Sequence, residues 1–122
     1  MSIDEEMERC REWIEAALDC GGNTHDFYDV LENVKAGLMQ FWPAEDACAV
    51  TEIVSYPKKK VLHIFLAGGN METIISMNDS AEQFAMLNEC SGMSIAGRKG
   101  WKKVLQDKGY KEAFTTLGKD LI

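Results

Sequence analysis

The sequence predicts an α/β domain with a mixed, mostly antiparallel sheet of about four or five strands, one parallel strand–helix–strand crossover and helices on both faces. Three observations carry that prediction. Apolar residues recur at three- and four-residue spacing through the first forty positions, the period changes to that of strands at Ala47, and a Gly-Gly pair separates an apolar strand from a helical stretch after Ala67. At 122 residues the chain is of single-domain size, so residues 1–122 are expected to form one domain, with 1–40 as a helical hairpin and 47–122 as sheet and helices.

The elements follow in order. Asp4 to Cys20 places Met7, Cys10, Ile14, Ala17 and Leu18 on one stripe, with acids in the first turn and Gly21-Gly22 beyond the end, which predicts an amphipathic helix. Asn23-Thr24 is the expected cap of a second helix carrying Phe27, Val30, Leu31, Val34 and Leu38, fading at Gly37 and ending before Pro43. Cys48 to Tyr56 is rich in β-branched residues, Pro57 to Lys60 reads as a polar turn, and Val61 to Ala67 is apolar on both alternating faces. These predict a β-hairpin whose second strand is central in the sheet.

Gly68-Gly69-Asn70 ends that strand and opens a helix expected to bury Ile74, Ile75, Met77, Ala81, Phe84, Ala85 and Leu87. Ser91 to Ala96 is a short strand, and its place after the helix predicts parallel pairing through a crossover. Arg98 to Lys108 forms a last helix closed by Gly109 at C′, and Tyr110 to Leu117 reads as a closing strand.

Composition narrows the function classes. The chain is 46 % hydrophobic and 27 % charged with two prolines, which is ordinary globular usage and not that of a disordered segment. Runs such as Ile64 to Ala67 fall far below the roughly 20 apolar residues of a membrane span, and the acidic start Asp4-Glu5-Glu6 lacks the pattern of a secretory signal, so the expected location is cytoplasmic. Four cysteines without a CxxC spacing predict reduced, mostly buried thiols; with two histidines and no paired ligand spacing, no metal site is expected. Net charge is −7, with 12 acids against 3 bases in residues 1–50 and 7 bases against 3 acids in residues 97–122. An acidic chain repels phosphate, so no nucleic acid is expected as partner; the basic end is read either as able to meet a small polyanion or as the neutralising counterpart of the acidic face.

The order of elements, with Met93 to Ala96, the helix from Arg98 to the Gly109-Tyr110 pair and the segment Phe114 to Lys119, resembles the C-terminal half of the GNAT superfamily of acyl-CoA N-acyltransferases over residues 47–122. The resemblance implies acetyl-CoA or another acyl-CoA as cofactor and direct acyl transfer to an amine. It implies that the pantetheine arm meets Phe65, Leu66 and Ala67 on one strand and Ser94 and Ile95 on its neighbour, with the pyrophosphate at Gly68, Gly69 and Asn70. A helix start offers unpaired N–H groups, and glycine lets a phosphate approach closely.

The sequence also departs from the family pattern. The usual Gln/Arg-x-x-Gly-x-Gly/Ala loop is reduced to Gly68-Gly69-Asn70, Leu105 stands where a Tyr commonly protonates the leaving thiolate, Arg98 and Trp101 replace the common Asn and the small residue after it, and no strand precedes the two helices. The Arg98-x-Gly100-Trp101 run and that missing strand resemble very small GNAT-like proteins of tailed bacteriophages, including an internal virion protein. That implies either an acyltransferase acting in the host or a non-catalytic binding or virion-associated protein whose partner is a host or virion protein.

Two side chains are candidate bases. His63, in the predicted central strand, occupies the region where the family often carries a general-base Glu, and an unperturbed pKa near 6.5 suits the task; a hydrogen-bonded core histidine is the other reading. Glu52 on the partner strand is the second, read equally as a solvated edge carboxylate. Gly68-Gly69 is likewise either an anion site or a plain turn, Lys58-Lys59-Lys60 a solvated hairpin tip, and His25 an exposed residue beside a helix cap. Cys48 or Cys90 would be a nucleophile only beside a base.

Overall fold

The computed structural model describes residues 2–96 and 99–122. Its centre is a four-stranded sheet of strand order β1-β2-β3-β4, formed by β1 (Gln40–Pro43), β2 (Ala47–Ser55), β3 (Lys60–Gly69) and β4 (Gly92–Ile95). The first three strands are antiparallel and β3 pairs with β4 in parallel, so the mixed sheet and the crossover predicted from sequence are both present.

One face carries α1 (Ile3–Arg9), α2 (Arg11–Cys20) and α3 (Phe27–Lys35). Met7, Cys10, Ile14, Leu18, Phe27 and Val30 pack there on Cys48, Val50 and Leu66, the stripe that the spacing predicts. The expected single helix over Asp4–Cys20 is jointed at Cys10, whose φ of −92° and ψ of 2° leave helical geometry; just before the joint, the Arg9 guanidinium donates to the carbonyls of Ala44 and Glu45 and ties α1 to the β1–β2 turn. The α3 cap is Asp26, not Asn23 or Thr24. Asp26 and Asp29 form a reciprocal capping box, while Asn23 sits at φ +55° and the Thr24 hydroxyl is bonded to the His25 ring. Leu38, expected on the α3 stripe, lies past the helix end and is exposed.

The other face carries α4 (Met71–Ser76), α5 (Asn78–Leu87) and α6 (Lys99–Leu105), the last continued by a 3₁₀ turn to Lys108 and closed by Gly109 at φ +89°. Leu62, Ala81 and Ala85 form its buried core, joined by Ile53, Phe84, Cys90 and Met93. The single helix expected after Asn70 is two segments meeting at Met77, where the Ser76 hydroxyl donates back to the Thr73 carbonyl and competes with the helical N–H. Leu87 is 85 % exposed, contrary to expectation, because Ala81 and Ala85 fix the inward face of α5 and a residue two positions on points away.

Strand β1, not expected from sequence, is a four-residue edge strand ending in Pro43. It is fixed by Trp42, whose indole N–H donates to Thr51 Oγ1, and by Gln40, which accepts from the same hydroxyl. The expected closing strand over Tyr110–Leu117 is not formed: this segment has no pairing partner among the described residues, and Phe114 and Leu117 are 81 % and 91 % exposed. Tyr110 itself is anchored, its hydroxyl donating to the buried Asn78. Of the cysteines, Cys10 and Cys48 are buried, Cys90 half-buried and Cys20 exposed, all with free thiols.

Both glycines of the Gly68-Gly69 pair belong to β3, and each has a steric reason. A Cβ on Gly68 would sit 2.8 Å from Cβ of Trp13 in α2, and one on Gly69, at φ +103°, would lie 2.6 Å from Cα of Ala47 and clash with the Asp46 carbonyl. Gly69→Ala is therefore expected to cost roughly 3 kcal/mol or more in urea unfolding, from positive-φ strain and backbone overlap together. Gly22→Ala, at φ +91° but in open space, should cost only about 1 kcal/mol. Equal losses at the two positions would contradict this account of the β2–β3 contact.

Candidate functional site

The site is built on a row that crosses three strands. Glu52 of β2 is the register partner of His63 of β3, and His63 is the register partner of Ser94 of β4. Alternation puts all three on the face that carries Val50 and Leu66, since Leu62, Ile53 and Met93 next to them face the opposite core. His63 Nδ1 and Ser94 Oγ are 2.9 Å apart, in hydrogen-bond contact, and both residues are half-buried.

Burial lowers the His63 pKa below the usual 6.5, and the Glu52 carboxylate opposes that shift in part. The imidazole is thus neutral at pH 7 and has one ring nitrogen free to accept a proton. The sequence offers His63 and Glu52 as candidate bases and Ser94 only as a residue facing a coenzyme. The Ser94–His63 bond depends on the β3–β4 register, and no local motif in either strand announces it.

Next to this row the β3–β4 ladder ends. Pairing between β3 and β4 ends at Ile64–Ile95, whereas β3 runs on to Gly69. At the same point β3 bulges: Thr51 pairs with Ile64 and Val50 with Leu66, which leaves Phe65 without a ladder partner on either neighbour. The extra residue turns Phe65 and Leu66 toward the α1–α3 face, where the Phe65 ring meets His25 edge-on at 4.9 Å between centroids. His25 is therefore half-buried by this stacking and is not the exposed residue expected.

Beyond the bulge Ala67 faces the other side. There a cavity of about 40 Å³ is lined by Ile64, Ala67, Ile95, Asn78, Trp101 and Leu105 among others, nearly all apolar. Gly68 and Gly69 then close the strand, and Asn70 caps α4 by accepting from the Thr73 N–H at 3.1 Å. Ser94 and Ile95 thus form the last β3–β4 pairs and Phe65 to Asn70 lie beyond them; Arg98 lies outside the described residues. Leu105 is buried in the cavity wall and offers no proton. The Cys48 thiol, buried beside Cys10, has its pKa pushed up by desolvation, and Cys90 is on the opposite face from His63, so neither has the base a nucleophile needs.

No protein-family profile matches this sequence, and no curated protein matches it by sequence. Solved structures do match over nearly the whole chain. A Bacillus halodurans protein solved as a tetramutant superposes with TM-score 0.73 at 10 % identity, covering 99 % of this chain and 97 % of that one. Glucosamine-6-phosphate N-acetyltransferase from Arabidopsis thaliana gives TM-score 0.63 at 10 % identity, covering 100 % and 95 %. An aminoglycoside acetyltransferase from an uncultured soil metagenomic sample, solved with sisomicin, gives 0.66 at 8 % identity, covering 100 % and 93 %. The chain has the fold of the GNAT acetyltransferases, as its C-terminal half suggested.

The geometry of the row makes a direct prediction for His63. Its NMR titration midpoint is expected below 6.5, and Glu52→Gln should move it lower still, because the carboxylate favours the imidazolium. With the folded pKa depressed, the neutral ring contributes stability that is present above the unfolded value of about 6.5 and is lost as pH falls through the folded value. A midpoint at or above 6.5 would refute the burial argument.

Proposed function

We propose that this chain is a GNAT-like N-acyltransferase that takes an acyl group from acetyl-CoA or a related acyl-CoA to an amine. The observation that carries the reading is the end of the β3–β4 ladder directly beside the Ser94–His63–Glu52 row. The fold shared with acetyltransferases supports the same reading. In it the pantetheine arm enters between Phe65, Leu66 and Ala67 on one side and Ile95 on the other, and pairs with backbone groups of β3 beyond the last β3–β4 pair. The coenzyme pyrophosphate lies at Gly68, Gly69 and Asn70, where α4 begins; the Asn70 side chain already holds the Thr73 N–H, so the other first-turn amides serve the anion.

His63 acts as general base with Glu52 as its electrostatic support, and a backbone N–H at the Phe65–Leu66 bulge polarises the thioester carbonyl. Because Leu105 is apolar, the leaving thiolate takes its proton from the imidazolium or from solvent.

A second reading keeps the fold and drops the chemistry: a phage or virion-associated protein that binds a host or virion partner. The observation in its favour is a buried Leu105 at the position where the family resemblance expects a proton-donating Tyr, together with the 12 acids of residues 1–50. The two readings part in one experiment. For the enzyme, acetyl-CoA at about 100 times its dissociation constant should stabilise the chain by about 2.7 kcal/mol in thermal denaturation. His63→Gln should keep that stabilisation while acyl transfer to an amine panel falls roughly a hundredfold or more. No stabilisation at millimolar acetyl-CoA would end the enzymatic reading and leave the binding one.

A further inference from the structure

We propose that Ser94 is a nucleophile that accepts the acyl group before the amine does, so that transfer proceeds in two steps through a Ser94 ester. This rests on the acyl-CoA reading above and replaces its direct route. Three observations carry it. Ser94 Oγ is already in hydrogen-bond contact with His63 Nδ1 at 2.9 Å, the contact that activates a serine. Glu52 flanks the same imidazole from the opposite strand, in register, so nucleophile, base and carboxylate follow one another across the sheet. Ser94 also immediately precedes Ile95, the last paired residue of β4, so it lies about one strand rise, roughly 3.3 Å, from the end of the β3–β4 ladder.

The other hydroxyl–imidazole pair among the described residues, Thr24 with His25, lies on the α2–α3 loop with an exposed Thr24, and is on neither β3 nor β4. Burial, which keeps His63 neutral, leaves Nδ1 able to take the serine proton.

In the first step Ser94 Oγ attacks the thioester carbonyl carbon and its proton passes to His63. The carbon–sulfur bond breaks, and the coenzyme thiolate takes that proton, giving a Ser94 ester and free thiol. In the second step an amine attacks the ester carbonyl and its proton passes through His63 to Ser94 Oγ. An amide forms and the serine is restored.

The test mixes the full chain with acetyl-CoA alone, quenches in acid, and measures free coenzyme by chromatography and the adduct by intact and peptide mass spectrometry. The expected result is a burst of about one coenzyme released per chain, with an ester on the Ser94 peptide that alkaline hydroxylamine removes and neutral hydroxylamine leaves. Ser94→Ala should abolish burst and adduct, His63→Gln should slow acylation at least tenfold, and Ser94→Cys should carry a thioester at the same position. Should acetyl-CoA stabilise the parent while no ester forms and Ser94→Ala transfers acyl groups at the parental rate, the two-step route is overturned and the direct one stands. Absence of acetyl-CoA binding to the parent removes the acyl-CoA reading itself, and this inference with it.

Discussion

One extra residue in β3 organises most of what surrounds the site. Two antiparallel strands that keep register alternate their faces without interruption, so a strand packed by helices on both sides presents a fixed face at every position. Phe65 breaks that alternation against β2, and β4 stops following β3 at the preceding residue. Below the bulge, Leu62 and Ile64 face α4–α6 and His63 faces the other side. Above it, Leu66 faces α1–α3 and Ala67 faces the cavity. The same strand therefore carries the His63 row, the end of the β3–β4 ladder and part of the core of the N-terminal helices, each on a different stretch.

That arrangement depends on close backbone approach just beyond the bulge. Gly68 lies against Trp13 and Gly69 against Asp46 and Ala47, so the end of β3 is clamped between α2 and the start of β2. The glycine pair is explained by this contact without any ligand. An anion site at the same place has to rest on the amides of α4, and this separates the fold's need for glycine from any need of a coenzyme.

What was legible in the sequence followed from periodicity. The Met7–Leu18 stripe, the hairpin of β2 and β3, and the crossover to β4 are each long or strongly patterned, and each is present. The failures fall where tertiary contacts decide. Tyr110–Leu117 has strand-forming side chains but no partner strand among the described residues, and propensity without a ladder gives no sheet. Strand β1 is four residues long and exists because Trp42 and Gln40 converge on the Thr51 hydroxyl, a long-range contact with no local signature. The site divides in the same way: His63 and Glu52 were visible as unusual residues in apolar strands, but the bond from His63 to Ser94 spans residues 64–93 and appears only once β4 is docked.

The order of strands in the sheet is also their order in the chain, and this bears on how the sheet closes. Strands β1 and β2 are separated by residues 44–46 and β2 and β3 by residues 56–59, whereas β3 and β4 are separated by residues 70–91. For a flexible chain the closure entropy of that last connection exceeds that of the hairpin by about 1.5 kcal/mol. The meander is thus assembled from local contacts, and the closure cost within the sheet is concentrated in the one strand pair that carries the His63–Ser94 bond.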